Sequence, residues 1–407
     1  MSESRQRPPF KGPRWIITLV ALVTLVVITA LIYPPRNSVT CYMFSGPGCQ
    51  LYQQFLFVPS RELTDTEAAA QVVTNEIMNL PESKTANPKI AFMFLTPGAL
   101  PFEPLWEMFL RGHENKFSIY VHASKKSPAH TSNYFVGRDI HSHKVDLSVA
   151  WGQISMVDAE RRLLAHALID PDNQHFVLLS DSCVPLFDFN YIYNHLIYAN
   201  LSFIDCFEDP GPHGNGRYSQ HMLPEVEKKD FRKGSQWFSM KRRHAIVVMA
   251  DSLYYTKFKL YCRPKMEGRN CYADEHYFPT LFNMIDPNGI ANWSVTHVDW
   301  SEGKWHPRLY NARDITPYLL RKIKVPLALS LCSVNIALFS DLSLLFLSDV
   351  QSIQLAYHVT SDLKKVTTVR PCLWKGDQRP CYLFARKFNP ETLDRLMYLF
   401  PNYTSLV

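Results

Sequence analysis

Asp274, Glu275 and His276 stand together in the run Cys271-Tyr-Ala-Asp-Glu-His-Tyr-Phe-Pro279, a polar cluster set among aromatics. A carboxyl against apolar surface is partly desolvated, which raises its proton affinity toward the working pH and suits it to act as a general base. The same residues also read as a helix N-terminus, with Asp274 as the cap and Glu275 complementing the helix dipole. The local run does not choose between the two readings; the elements around it do.

From Lys89 onward, strand-like and helix-like segments alternate. KIAFMFL (89–95), FSIYVHA (117–123), HFVLLSD (175–181) and SFIDCF (202–207) read as strands. Between and after them, 103–111, 155–168 and 189–199 read as helices. Apolar strands alternating with helices predict an α/β domain, a mostly parallel sheet covered on both faces. Ligands of such sheets bind beyond the carboxyl ends of the strands, which points to Leu95-Thr96-Pro97, His122 and Ser180-Asp181-Ser182. The second half is less regular. A turn-rich loop spans 209–216, and 233–239 leads into a strand. Helices are expected over 243–258, 274–285 and 314–323, strands over 295–300 and 381–387, and a final helix after them.

The chain has 407 residues, 13% aromatics and a net charge of +6. That length can bury a substantial core, and without a Lys/Arg stripe nucleic acid is set aside as a partner. Residues 15–33, WIITLVALVTLVVITALIY, are apolar and uncharged, and at 1.5 Å per residue they span a bilayer core of about 30 Å. Arg5, Arg7, Lys11 and Arg14 precede this run and only Arg36 follows closely, so the bias places the N-terminus in the cytosol and the rest in a lumen. A cleaved signal peptide would be shorter and end in small residues, whereas this run ends in Ile-Tyr-Pro-Pro. Asn200, Asn292 and Asn402 open glycosylation triplets. The nine cysteines show no C-x-x-C pair, so a zinc site is not expected; in an oxidising lumen most should be paired. Cys262 with Cys271 would close a short loop just ahead of Glu275.

The expected organisation is a cytosolic tail (1–14), a membrane anchor (15–33), a luminal stem (34–87), and a catalytic domain made of 88–324 and 369–400. The segment 325–368 does not fit. Its first part, VPLALSLCSVNIALFSDLSLLFL, reads as a second span, a buried helix or translated intron.

Several phrases together resemble one family: FVLLSDSCVPL (176–186), FEDPGPHGNGRYSQHMLPEV (207–226), RKGSQWFSMKR (232–242), CYADEHYFPTL (271–281), THVDWSEGKWHP (296–307) and CYLFARKF (381–388). The chain resembles the core-2/I-branching β-1,6-N-acetylglucosaminyltransferases, glycosyltransferase family 14, and within them the plant branch. The resemblance implies a Golgi type II membrane protein with a GT-A-like catalytic domain. It implies inverting transfer of a sugar, GlcNAc in the first instance, from a UDP-sugar to a glycoprotein or polysaccharide acceptor. No divalent metal or other cofactor is implied. A glucuronosyltransferase of the same family and a catalytically inactive Golgi glycan-binding protein are the alternatives.

By the same resemblance, Glu275 matches the family's base and Lys387 its phosphate-binding lysine. Arg308 is the favoured second cation over Arg313, and Arg386 is set aside because alternation along the strand turns it to the other face. Ser180-Asp181-Ser182 stands where many GT-A enzymes carry a metal-binding Asp-x-Asp. Asp170-Pro-Asp172 has that spacing but precedes the strand and reads as a turn. Trp300 matches a sugar-site position, and Arg217 and Tyr218 an acceptor-side segment, with Trp237, Lys233 and Gln236 in the next motif. Thr96 and the His122–Ala123 corner are the uridine-side candidates. Asp274 is expected to cap or orient its helix, and His276 to bond a carboxylate or to pack.

Overall fold

A computed structural model describes Leu22, Thr24 and residues 85–140, 149–324, 355–356, 370–374, 377–378 and 380–405. The chain divides into two compact units, Met1–Glu62 and Leu63–Val407. Only Leu22 and Thr24, both helical, are described in the first. Nearly all of the expected anchor, of the stem and of the 325–368 segment lies outside the described residues. Among the described residues no helix is long and apolar enough to cross a membrane.

The second unit is built on a six-stranded sheet: β1 (Lys89–Thr96), β2 (Phe117–Ala123), β3 (Asn173–Ser180), β5 (Ser202–Asp205), β6 (Ser239–Lys241) and β7 (Ile290–Asn292), in the order β2-β1-β3-β6-β5-β7. Because side chains alternate across a strand, β1 feeds two cores at once. Ile90, Phe92 and Phe94 enter one apolar layer, Ala91, Met93 and Leu95 the other. Helices α1 (Glu103–Leu110) and α3 (Phe189–Ile197) supply apolar residues to the first layer. Helix α2 (Ile154–Leu168) covers the second, joined there by α4 (Arg242–Ala250), α5 (Leu253–Tyr261) and α6 (Ala273–Ile285). Burial on both faces explains why these strands read as continuous apolar runs rather than as alternating ones.

The sheet is mixed. β1 pairs in parallel with β2 and β3, and β5 with β7, but β6 runs antiparallel to both of its neighbours, β3 and β5. β6 arrives from the long 206–238 loop rather than from a helical crossover, so nothing imposes the parallel direction on it. A second sheet of three strands orders β4 (Val184–Pro185), β9 (Phe384–Arg386) and β8 (Thr296–Val298), with β9 in the middle. β9 is antiparallel to β4 and parallel to β8.

The helix expected over 243–258 is two helices, α4 and α5. Asp251 breaks it by accepting the backbone N–H groups of Tyr254 and Tyr255, both at 3.0 Å, and the Tyr277 hydroxyl at 2.8 Å. The helix expected over 314–323 begins later, as α7 (Pro317–Lys324), behind a short turn closed by reciprocal capping between Asn311 and Asp314. The final helix, α8, spans Leu393–Thr404. Asp170-Pro-Asp172 is a turn at the opposite end of β1, where Lys89 bridges to Asp170 at 3.0 Å.

Candidate active site

Beyond the carboxyl ends of β1 and β3 opens a cavity of ≈ 970 Å³ that both sheets help to line. One side is the first turn of α6. A disulfide between Cys262 and Cys271 closes the loop just before it, as the spacing suggested. Gly234 secures that turn from outside: its N–H donates to the Glu275 carbonyl at 2.9 Å. A Cβ on Gly234 would lie 1.8 Å from the Asp205 carbonyl oxygen, so only glycine fits.

The Glu275 carboxylate faces cations. Arg217 Nη1 donates to Glu275 Oε2 at 2.7 Å, and Lys233 Nζ lies 3.8 Å from the same oxygen. Arg217 is buried, and other side chains also meet it. Its guanidinium carbon sits 4.3 Å from the centre of the Tyr272 ring, and its nitrogens reach His213 Nδ1 at 3.4 Å and His276 Nε2 at 3.3 Å. His276 Nδ1 faces the Arg232 carbonyl at 2.7 Å. That bond makes Nδ1 the donor and leaves Nε2 as an acceptor for Arg217. Burial, with the Arg217 charge beside it, holds the His276 pKa well below its usual range, in keeping with a neutral ring. Lys233 is also pushed down by burial, offset in part by Glu275.

Asp274 does not hold the cap position of α6: Tyr272 does, without a side-chain cap hydrogen bond. Asp274 turns inward instead, 1% exposed, with Oδ1 unpartnered among the described residues. Burial, and then the Glu275 charge, lift its pKa to about 7. Glu160, fully buried, is likewise raised, by burial and then by Asp274, and accepts from Gln236 Nε2 at 2.8 Å.

The other side is cationic. Lys387 follows β9, and hydrogen bonds on either side hold it: Tyr310 N–H to the Lys387 carbonyl at 2.8 Å, and Phe388 N–H to the Ser182 carbonyl at 3.1 Å. Arg386, set aside on strand alternation, lines the cavity as well, its guanidinium 4.0 Å from the centre of the Trp237 ring. β9 ends at Arg386, so alternation does not continue through Lys387 and both side chains reach the cavity. Asp181, just after β3, lines the cavity too; burial raises its pKa, and Arg386 and Lys387 oppose the rise.

Trp300, Trp237, Lys233, Arg217 and Thr96 line the cavity. The Thr96 hydroxyl is committed to its own turn, accepting from Gly98 N–H at 3.0 Å. His122, Tyr218 and Arg308 do not line it. His122 is buried in the sheet, where desolvation and then Arg162 lower its pKa to about 4. Tyr218 is a core residue whose hydroxyl donates to the Val226 carbonyl at 2.8 Å. Arg308 is drawn aside by Asp314 at 3.2 Å and Glu302 at 3.7 Å, and Arg313 is exposed on the neighbouring turn. Of the glycosylation triplets, Asn200 and Asn402 are exposed, while Asn292 is half-buried at a φ of 63°. Among the cavity side chains given no role from the sequence are Trp151 and Tyr272, although Tyr272 lies in the acidic run itself.

A mixed, mostly parallel sheet with helices on both faces and a polar cleft beyond its strand ends is the architecture of an α/β glycosyltransferase. Residues 90–324 match the family model described as Core-2/I-Branching enzyme. The chain is also 34% identical over 333 residues to Glycosyltransferase BC10 of Oryza sativa subsp. japonica, covering 74% of each chain. This chain belongs to the core-2/I-branching family and is a glycosyltransferase.

The burial of Asp274 has a measurable sign. An unfolded Asp loses its proton near pH 4, the folded one near 7. Between those values the unfolded chain binds fewer protons, so Asp274 lowers stability as pH rises. An Asp274→Asn variant, neutral throughout, should gain stability relative to wild type from about pH 4 to 7 and hold that gain above. Denaturant titrations across this range measure it; a pH-independent difference would contradict a buried, protonated Asp274.

Proposed function

We propose that the chain is an inverting, UDP-sugar-dependent transferase in which Glu275 is the base and Lys387, with Arg386, receives the departing diphosphate. What carries this reading is that Glu275 and the Arg386–Lys387 pair line one cavity. Glu275 takes the proton of an acceptor hydroxyl while that oxygen forms its bond to the anomeric carbon. The bond from that carbon to the diphosphate breaks on the opposite face, and UDP leaves with the electron pair. A single in-line displacement inverts the centre and needs one carboxylate only. Negative charge develops on the leaving oxygen, and fixed cations in a poorly hydrated pocket stabilise it without reorganising.

Arg386 and Lys387 beside Asp181 are the reason to read the reaction as metal-independent. Trp300, half-buried on the wall, suits the apolar face of a sugar, and Arg217 and Lys233 suit acceptor hydroxyls as well as Glu275. GlcNAc is the proposed donor sugar, and a glycoprotein or polysaccharide glycan the acceptor. The proposed setting is the Golgi lumen, with residues 15–33 as a type II anchor.

Glu275→Gln keeps the side-chain shape and an acceptor for Arg217. Transfer by this variant should fall by about 10²-fold or more while UDP affinity is retained. Turnover close to wild type would remove Glu275 from the reaction. Transfer in excess EDTA should equal transfer with added manganese; loss in EDTA that manganese restores would overturn the metal-independent reading. The luminal setting predicts a glycosidase-sensitive mass shift that Asn200→Gln or Asn402→Gln reduces, and a chain from secretory membranes that carries no such glycan would argue against it.

A further inference from the structure

Trp151 is 55% exposed, large and apolar, yet it is no loose surface residue. Its turn is fastened to the start of α6. Gly152 has a φ of 74°, and a Cβ there would lie 2.5 Å from Tyr272 Cδ1. The Gly152 carbonyl accepts from Ala273 N–H at 3.3 Å. The indole itself lies against the Tyr272 ring, with centroids 4.5 Å apart and planes at 46°. Tyr272 in turn supports the Arg217 guanidinium, and Arg217 donates to Glu275. A continuous series of contacts therefore runs from a half-exposed indole to the carboxylate, and Trp151 lines the same cavity.

A half-exposed, rigidly backed aromatic at the mouth of a polar cavity suits a ligand that is apolar on one face and hydroxylated at its edge. A pyranose with equatorial substituents is such a ligand: its axial C–H groups pack on the ring while its hydroxyls stay in water. Backing by Tyr272 keeps the ordering cost of binding low. Trp305 is more exposed, at 84%, but its ring contact is with its own neighbour His306, so nothing ties it to Glu275. The series that begins at Trp151 ends on Glu275 and not on Arg386 or Lys387, which puts this surface on the acceptor side.

We infer that Trp151, backed by Tyr272, is a stacking subsite for the second sugar of the acceptor, the pyranose next to the one whose hydroxyl reacts. This rests on the reading of Glu275 as the acceptor-side base. The subsite makes the protein a reader of acceptors at least two sugars long, and Trp151 a residue that sets acceptor length rather than one that touches the reacting atoms.

Direct binding tests this without turnover. The full-length chain is titrated, by ligand-observed NMR, with four β-linked disaccharides (cellobiose, xylobiose, lactose and N,N′-diacetylchitobiose) and their parent monosaccharides. At least one disaccharide should bind wild type about tenfold more tightly than its monosaccharide, roughly the contribution of one stacking contact. That increment should vanish in Trp151→Ala and survive in Trp151→Phe. Melting temperatures identify any variant that fails to fold, and Trp151→Phe then decides alone: it must keep the increment, whereas Trp151→Leu must lose it. An increment that persists in Trp151→Ala or Trp151→Leu, or a wild type that gains nothing from the second sugar, overturns the subsite. UDP titration of wild type is a separate arm: absence of UDP binding counts against the transferase reading, whatever the disaccharides do.

Discussion

The pairing of Arg217 with Glu275 is the contact on which the acidic half of the cavity turns. A guanidinium at 5% exposure is costly unless its donors and its charge are met. Here two stretches of chain meet: Arg217 with His213 from the turn-rich loop, and Tyr272, Glu275 and His276 from the start of α6. Satisfying one buried cation draws them together, and the carboxylate is held at the cavity wall as a consequence. The neutral tautomer of His276 belongs to the same logic, since a second positive ring beside Arg217 would undo it.

The opposite wall is organised by different means. Arg386 is buried against an indole and Lys387 is fixed through its backbone, so these cations are held by packing and by the small sheet rather than by carboxylates that neutralise them. Asp181 is an acid whose charge reaches both, and its own burial weakens its hold on that charge. Among the described residues the two walls thus differ in kind: paired charge around Glu275, and cations opposed by Asp181 at the end of β9. An anionic ligand has reason to settle at the second and not at the first.

Much of this was legible in the sequence because it is local. Continuous apolar runs in β1 and β3 announce strands buried on both faces, and the periodicity of α2 and the spacing of Cys262 and Cys271 needed no tertiary knowledge. What escaped is non-local. Asp274 looks like a cap, since the residues that bury it, Glu160 among them, lie more than a hundred positions away. Arg386 was set aside by extending strand alternation one residue past the place where β9 ends. Arg308 looked free in the sequence, because nothing there shows Asp314 and Glu302 turning toward it. Trp151 could not be valued before its turn was seen lying on Tyr272, although a Trp-Gly pair ahead of an amphipathic helix was the available hint. The antiparallel course of β6 was hidden for a related reason, since direction is decided by how a long loop returns and not by the strand's own composition.

The position of β9 carries a consequence for biosynthesis. Every strand of the large sheet is made by residue 292, and the acidic wall by residue 285, but the cations arrive only with residues 386 and 387. Until those two residues are added, nothing can fill the place between β4 and β8. A chain that stops before β9 would lack Arg386 and Lys387, and with them Phe384, Phe388 and Leu396, which belong to the first apolar layer.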